Sequence, residues 1–133
     1  MTFLDANVII RYVTQDEPQK TARCEQLFKK VEAGTEALLI HVLIVAEVIW
    51  VLTGVYRLTK ERVVDALLEL LSMEAIHLDD KERVLTALDR YRAKPVDFID
   101  AYHAQYLLDK KLDAVYSYDR DFDILPGLRR LEP

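Results

Sequence analysis

The sequence predicts an α/β fold: a central, mostly parallel five-stranded sheet with helices on both faces. Three observations predict it. Short apolar runs alternate with longer segments of helical period along the whole chain. Gly and Pro together occupy only seven positions (three and four), and 51% of residues are hydrophobic, a balance suited to a packed interior. At 133 residues, one compact domain spanning 1–133 is expected, with no internal repeat or low-complexity segment.

Phe3 and Leu4 form a short apolar strand ending at Asp5, and residues 8–13 have helical propensity over a turn or two, with Asn7 as the expected N-cap. A helix then runs to Glu32, with Pro18 in its first turn, Gly34 as its stop, and Ala22, Leu27 and Val31 as its buried stripe. Residues 37–40 read as a strand. Residues 42–52 read as a helix apolar on nearly every face, broken only by Glu47 and ended by Gly54. Thr59 to Arg62 opens the next helix, where Val63, Val64, Leu67, Leu68 and Leu71 keep the helical period. A strand follows at 75–78. Asp79 or Asp80 then caps a helix through Arg92 that turns Val84, Leu85 and Leu88 inward and is closed by Lys94-Pro95. Asp97 caps a helix over 98–110, followed by a strand at 114–116, a turn over 117–121, a short helical piece near Phe122, and a last strand near 128–131.

The single Cys24 excludes an intrachain disulfide, and the opening Met-Thr-Phe-Leu-Asp lacks the basic start and long apolar core of a secretion signal, so a reducing, cytoplasmic setting is expected. The most apolar run, residues 37–53, contains His41 and Glu47 and falls short of the roughly 20 apolar residues a membrane span needs. Net charge is −5, from 18 basic and 23 acidic residues, so nothing global advertises nucleic-acid binding. Divalent cations held by central carboxylates would reverse that balance locally, where a phosphate would dock.

Four carboxylates, Asp5, Glu47, Asp100 and Asp119, lie inside or at the end of apolar stretches. A buried carboxylate costs several kcal/mol unless it is paired or coordinates a cation, so four of them ask for a shared partner. Asp5 and Asp119 each follow a strand and precede a helix, the place where open α/β sheets bind ligands. Glu47 is flanked by Ile44, Val45, Ala46, Val48, Ile49, Trp50 and Val51, and is expected to be buried. Asp97 and Asp100 share a helix face near its positive N-terminus. Asp97, as N-cap, should spend its oxygens on backbone N–H groups, leaving Asp100 as the better ligand. His103 extends the same face, but a lone helical His is more often structural. Asp119, Asp121 and Asp123 crowd one turn: Asp119, beside Ser117, is best placed over the strand end, Asp121 is an auxiliary, and Asp123 is expected in solvent. Hard oxygen ligands without Cys or His spacing favour Mg²⁺ or Mn²⁺ over Zn²⁺, and point to phosphoester cleavage by activated water.

With these residues in place, nearly the full length of the chain resembles a PIN-domain ribonuclease of the VapC toxin type. Phe-Leu-Asp5-Ala-Asn7-Val-Ile resembles the opening D-x-N/S motif, and Val-Ala-Glu47-Val-Ile-Trp50-Val-Leu the central acidic helix. Asp97-Phe-Ile-Asp100-Ala resembles the third motif, and Ser117-Tyr-Asp119-Arg-Asp121-Phe the fourth. The resemblance implies a three-layer α/β/α fold and a Mg²⁺-dependent endoribonuclease with Asp5, Glu47, Asp100 and Asp119 as catalytic metal ligands. Asn7 and Ser117 would support them, and the products would be a 5′-phosphate and a 3′-hydroxyl. It also implies a homodimer and a cognate VapB-type antitoxin. Two positions depart from the pattern: Ser117 stands where Thr is common, and Ile40-His41-Val42 offers no hydroxyl before the Glu47 helix.

Tyr12, Trp50, Val55 and Tyr56 are candidates for an apolar antitoxin groove, and Arg11, Arg90, Arg92, Lys94 and Arg120 for phosphate contacts. Three rival readings carry distinct expectations. A haloacid-dehalogenase-like phosphatase needs a second Asp two positions after the first, where this chain has Asn7. A receiver domain offers no role for Glu47. A catalytically silent PIN-like module that binds RNA or protein leaves the four carboxylates without a purpose.

Overall fold

Two parallel ladders organise the chain in a computed structural model that describes residues Met1–Pro133. The polypeptide divides into two compact units, Met1–Lys81 and Glu82–Pro133. In the first, β1 (Thr2–Phe3), β2 (Leu38–Ile40) and β3 (Ile76–Leu78) form a parallel sheet in the order β1-β2-β3. Helices α1 (Ala6–Thr14) and α2 (Pro18–Glu32) connect β1 to β2, and α3 (Val42–Gly54) and α4 (Lys60–Leu71) connect β2 to β3. In parallel register, Leu38 pairs with Ile76 and Ile40 with Leu78, and all four are buried. The opposite row, Phe3, Leu39 and His77, is exposed, so the period-two alternation of a sheet covered on one face is visible in this unit.

The second unit contains most of α5 (Lys81–Ala93), then α6 (Phe98–Asp109), β4 (Ala114–Tyr116), the single turn α7 (Asp121–Ile124) and β5 (Arg129–Leu131). Here β4 pairs in parallel with β5, Tyr116 opposite Leu131. All five expected strands form, but as a three-stranded and a two-stranded sheet rather than one five-stranded ladder. The first strand has only two residues in its ladder, and β1 pairs with β2 alone, as β4 pairs with β5 alone.

Helix starts and stops have local causes, and packing partners set which face is buried. Pro18 opens α2, where its missing N–H costs nothing, and Gly34 follows the helix at φ 75°, a left-handed turn that glycine adopts without strain. The buried stripe of α2 is Thr21, Cys24, Phe28 and Val31, whereas Ala22 is exposed and Leu27 half-buried. Its phase is fixed by the α1 contact, with the Tyr12 ring 4.5 Å from that of Phe28. The Thr59 hydroxyl accepts from the Arg62 amide at 3.3 Å and caps α4, whose Val63, Val64, Leu67, Leu70 and Leu71 are buried; Leu68 is half-buried. In α5 the buried face is Val84, Ala87, Leu88 and Tyr91, with Leu85 at its margin. No helix is long and apolar enough to cross a membrane.

Candidate metal centre

The second unit gathers the acids. Pro95 and buried Val96 end the α5 connection, and buried Phe98, Ala101 and Ala104 fix the rotation of α6. That rotation leaves Asp97 at the N-cap and Asp100 half-buried one turn in. After β4, the Ser117 hydroxyl accepts from the Asp119 amide at 2.9 Å, and Asp119 Oδ1 accepts from the Asp121 amide at 2.9 Å. Asp121 Oδ2 in turn accepts from the Asp97 amide at 3.3 Å, joining the turn after β4 to the start of α6. Buried Phe122 and Leu125 anchor the turn from below.

The result is a compact group of oxygens. Asp97, Asp100 and Asp121 each offer one carboxylate oxygen, and these atoms lie within 4.8 Å of one another. The Asp119 carboxyl faces that of Asp100 and acts on it both as a hydrogen-bonding partner and as a charge. Burial pushes the Asp100 carboxyl up to about 7, helped by the Asp119 hydrogen bond and by the negative charges of Asp119, Asp121 and Asp97. Every one of these influences acts in the same direction, and none is a cation. Such a donor set is made of hard anionic oxygens only, and it fits Mg²⁺ or Mn²⁺ far better than a thiophilic metal.

Arg130 clamps this turn. Its Nε donates to Asp123 Oδ1 at 2.9 Å, and its Nη1 to the Ser117 carbonyl at 3.0 Å and to Glu132 Oε1 at 2.6 Å. The Asp123 and Glu132 carboxylates raise the Arg130 pKa above its ordinary value. Asp123 is exposed, as expected, and also pairs with the Arg130 guanidinium that holds the Ser117 carbonyl. Asp97 departs from expectation: it occupies the N-cap but makes no side-chain capping bond, so its carboxylate stays with the cluster. Asp121 joins the same group, and the signal for both lay in the paired spacings Asp97-x-x-Asp100 and Asp119-x-Asp121. His103 is exposed, its ring 6.4 Å from Tyr102, and takes no part in the cluster.

The first unit holds the other candidates. The N-cap of α1 is Asp5, not Asn7, because the helix already begins at Ala6, and the Asp5 side chain makes no capping bond. Both Asp5 and Asn7 are exposed, with their carboxylate and amide unspent on the helix end. Glu47 is exposed rather than buried, which corrects the expectation drawn from its apolar neighbours. Ile44, Val45, Val48, Ile49 and Leu52 bury most of the circumference of α3, and Glu47 falls on the remaining stripe, between exposed Leu43 and Trp50. The missing hydroxyl before this helix is replaced by His41, whose Nδ1 accepts from the Leu43 amide at 3.2 Å.

Of the expected phosphate contacts, Arg11 is committed to Asp16 at 3.0 Å and Glu17 at 3.1 Å. Arg90 keeps one buried guanidinium nitrogen without a hydrogen-bond partner, Arg92 and Lys94 are engaged in other interactions, and Arg120 is exposed. Of the expected apolar groove, Trp50 and Val55 are exposed, Tyr12 packs on Phe28, and the Tyr56 hydroxyl donates to Asp16 Oδ2 at 3.2 Å.

Parallel ladders joined by helices, with carboxylates collected behind a strand end and at a helix start, define an α/β domain built around an acidic site. The PIN domain model matches residues 2–128, and the chain belongs to the PIN domain family, whose members are generally nucleases and typically bind divalent metals. This membership sets aside the haloacid-dehalogenase and receiver readings. No match to the chain was found among curated proteins.

Proposed function

We propose that the protein is a Mg²⁺-dependent endoribonuclease, with Mn²⁺ able to substitute, and the toxin of a VapBC-type toxin–antitoxin pair. The observation that carries the hydrolytic reading is the close group of Asp97, Asp100 and Asp121, with Asp119 bonded to the Asp121 amide beside it, and every charge acting on Asp100 there is negative. A divalent ion turns that repulsion into binding energy, and nothing else in the cluster does so.

We assign Asp100 and Asp119 of the second unit and Asp5 and Glu47 of the first as the metal-holding, catalytic carboxylates, with Asp97 and Asp121 assisting. A bound Mg²⁺ supplies Lewis acidity, activating water for in-line attack on phosphorus and steadying charge on the leaving oxygen. Ser117 acts through Asp119, fixing its backbone by the 2.9 Å hydrogen bond, and Arg130 fixes Ser117. Asn7 is available to orient substrate or a ligand, since it is not spent on capping. The family match runs through both units, which supports treating residues 1–133 as a single PIN domain. Exposed Leu43, Trp50 and Val55 suit an apolar partner surface for the VapB-type antitoxin or for a homodimer, and the single cysteine suits a cytoplasmic setting.

Labelled RNA incubated with antitoxin-free protein tests this reading. Cleavage with Mg²⁺ that stops in EDTA and leaves 5′-phosphate and 3′-hydroxyl ends is expected. Cleavage that ignores EDTA, or no cleavage of any RNA, counts against it.

A further inference from the structure

An acidic protein must still give its polyanionic substrate a path. Two surface cavities of the first unit oppose one: the cavity beside Tyr12 and Phe28 is lined by Glu25 and Glu32 as well as Lys29, and another by Glu32 and Glu74. The groove between α1 and α2 differs. It measures about 350 Å³ and is lined by Asn7, Val8, Arg11, Lys20, Arg23 and Cys24, three cations and no acid. Val8, buried Cys24 and the aliphatic stems of the cations give it an apolar floor beneath a positive rim.

We propose that this α1–α2 groove is a nucleotide subsite that holds single-stranded RNA next to the reacting phosphate. The inference rests on the nuclease reading above and adds the route by which the strand is held. Its volume lies in the usual range of ligand clefts, about 300–1,000 Å³. An apolar floor with a guanidinium at its edge accepts an unstacked base, and the cations at the rim accept its phosphate. Asn7 joins the groove to Asp5, two residues earlier at the start of the same helix, so a strand seated here reaches an assigned metal carboxylate within one helical turn.

Arg23 is the residue that decides the matter. Arg11 is already held by Asp16 and Glu17, and Lys20 by Glu17 at 3.0 Å, so their charges are partly neutralised. Arg23 is exposed on the same rim and forms no such pair, which leaves its full charge for a phosphate. It is a positioning residue, acting on substrate binding.

The test is fluorescence anisotropy with a short single-stranded RNA in EDTA across a KCl series, together with cleavage kinetics in Mg²⁺. Arg23→Gln is expected to bind about tenfold more weakly. Its log–log salt slope should be shallower by about 0.7, the value for one lost contact to single-stranded nucleic acid. Its KM should rise with kcat kept, and Arg23→Lys should restore most of the binding. Lys29→Gln, an equal loss of charge on the same helix but in the Glu-lined cavity, should leave the slope unchanged, and thermal unfolding should confirm that all three variants fold. Wild-type binding and salt slope in Arg23→Gln, or an equal loss in Lys29→Gln, overturns the groove while leaving the nuclease reading intact. Weakened RNA binding in Arg23→Gln beside a wild type that binds but never cleaves supports the groove and removes the nuclease. A wild type that neither binds nor cleaves RNA overturns both.

Discussion

Replacing Asp100 with Asn should stabilise the metal-free protein, and the size of the effect follows from the acidic cluster. A carboxyl raised from 3.8 to about 7 binds its proton more tightly in the folded state than in the unfolded one. At about 1.36 kcal/mol per pKa unit this corresponds to a destabilisation of about 4 kcal/mol above pH 7. Asp100 is only half-buried, and solvent screening reduces that to about 1–2 kcal/mol. The sign is set by the raised folded-state pKa: below pH 4 both states are protonated and nothing is lost, stability falls as pH climbs from 4 to 7, and the full penalty stands above 7. Asn carries no charge at any pH and can still donate to Asp119, so it removes the penalty and keeps the hydrogen bond. In EDTA at pH 8, the urea midpoint should rise by about 0.5–1 M, given a slope of about 2 kcal/mol per M for a small domain. At pH 5 the gain should be smaller than at pH 8. An unchanged midpoint at pH 8, or an equal gain at both pH values, refutes the account of mutual repulsion.

Glu47→Gln should behave differently, because Glu47 is exposed: its urea midpoint should stay within about 0.5 kcal/mol of wild type while RNA cleavage is lost, and a gain like that of Asp100→Asn would contradict its placement. Ser117→Ala removes the oxygen that holds the Asp119 amide, so Mg²⁺ affinity measured by calorimetry should fall about 10-fold or more. Thr59→Ala removes the cap of α4 and should cost about 1 kcal/mol in urea unfolding with kcat for cleavage unchanged. Leu52→Ala empties a fully buried position of α3 and should cost about 2–5 kcal/mol in the same assay.

The alternation of strands and helices was legible because each element carries its own period and punctuation: Pro18 before α2, Thr59 before α4, Pro95 before α6. The phases of helix faces were less so. In α2 the choice between Ala22 and Phe28 depends on Tyr12, a partner on another helix, and no window of sequence contains it. Glu47 shows the same limit more sharply, since an apolar neighbourhood along the chain said nothing about the one stripe of α3 that faces solvent. The position of Asp100 was legible from its spacing, but the argument against Asp97 rested on a cap that Asp97 does not make. Asp121 and Arg130 act through atoms brought in from other segments, Asp121 through the Asp97 amide and Arg130 through the Ser117 carbonyl. Nothing local marks such contacts.

The central claim is that the acidic cluster exists to hold a hard divalent cation. Mn²⁺ titration followed by electron paramagnetic resonance tests it most directly. Wild-type protein at pH 8 should quench the free Mn²⁺ signal saturably, Mg²⁺ should restore that signal by competition, and Asp100→Asn should bind at least tenfold more weakly. A wild type that leaves the free Mn²⁺ signal intact, or an Asp100→Asn variant that binds as tightly as wild type, would contradict the account.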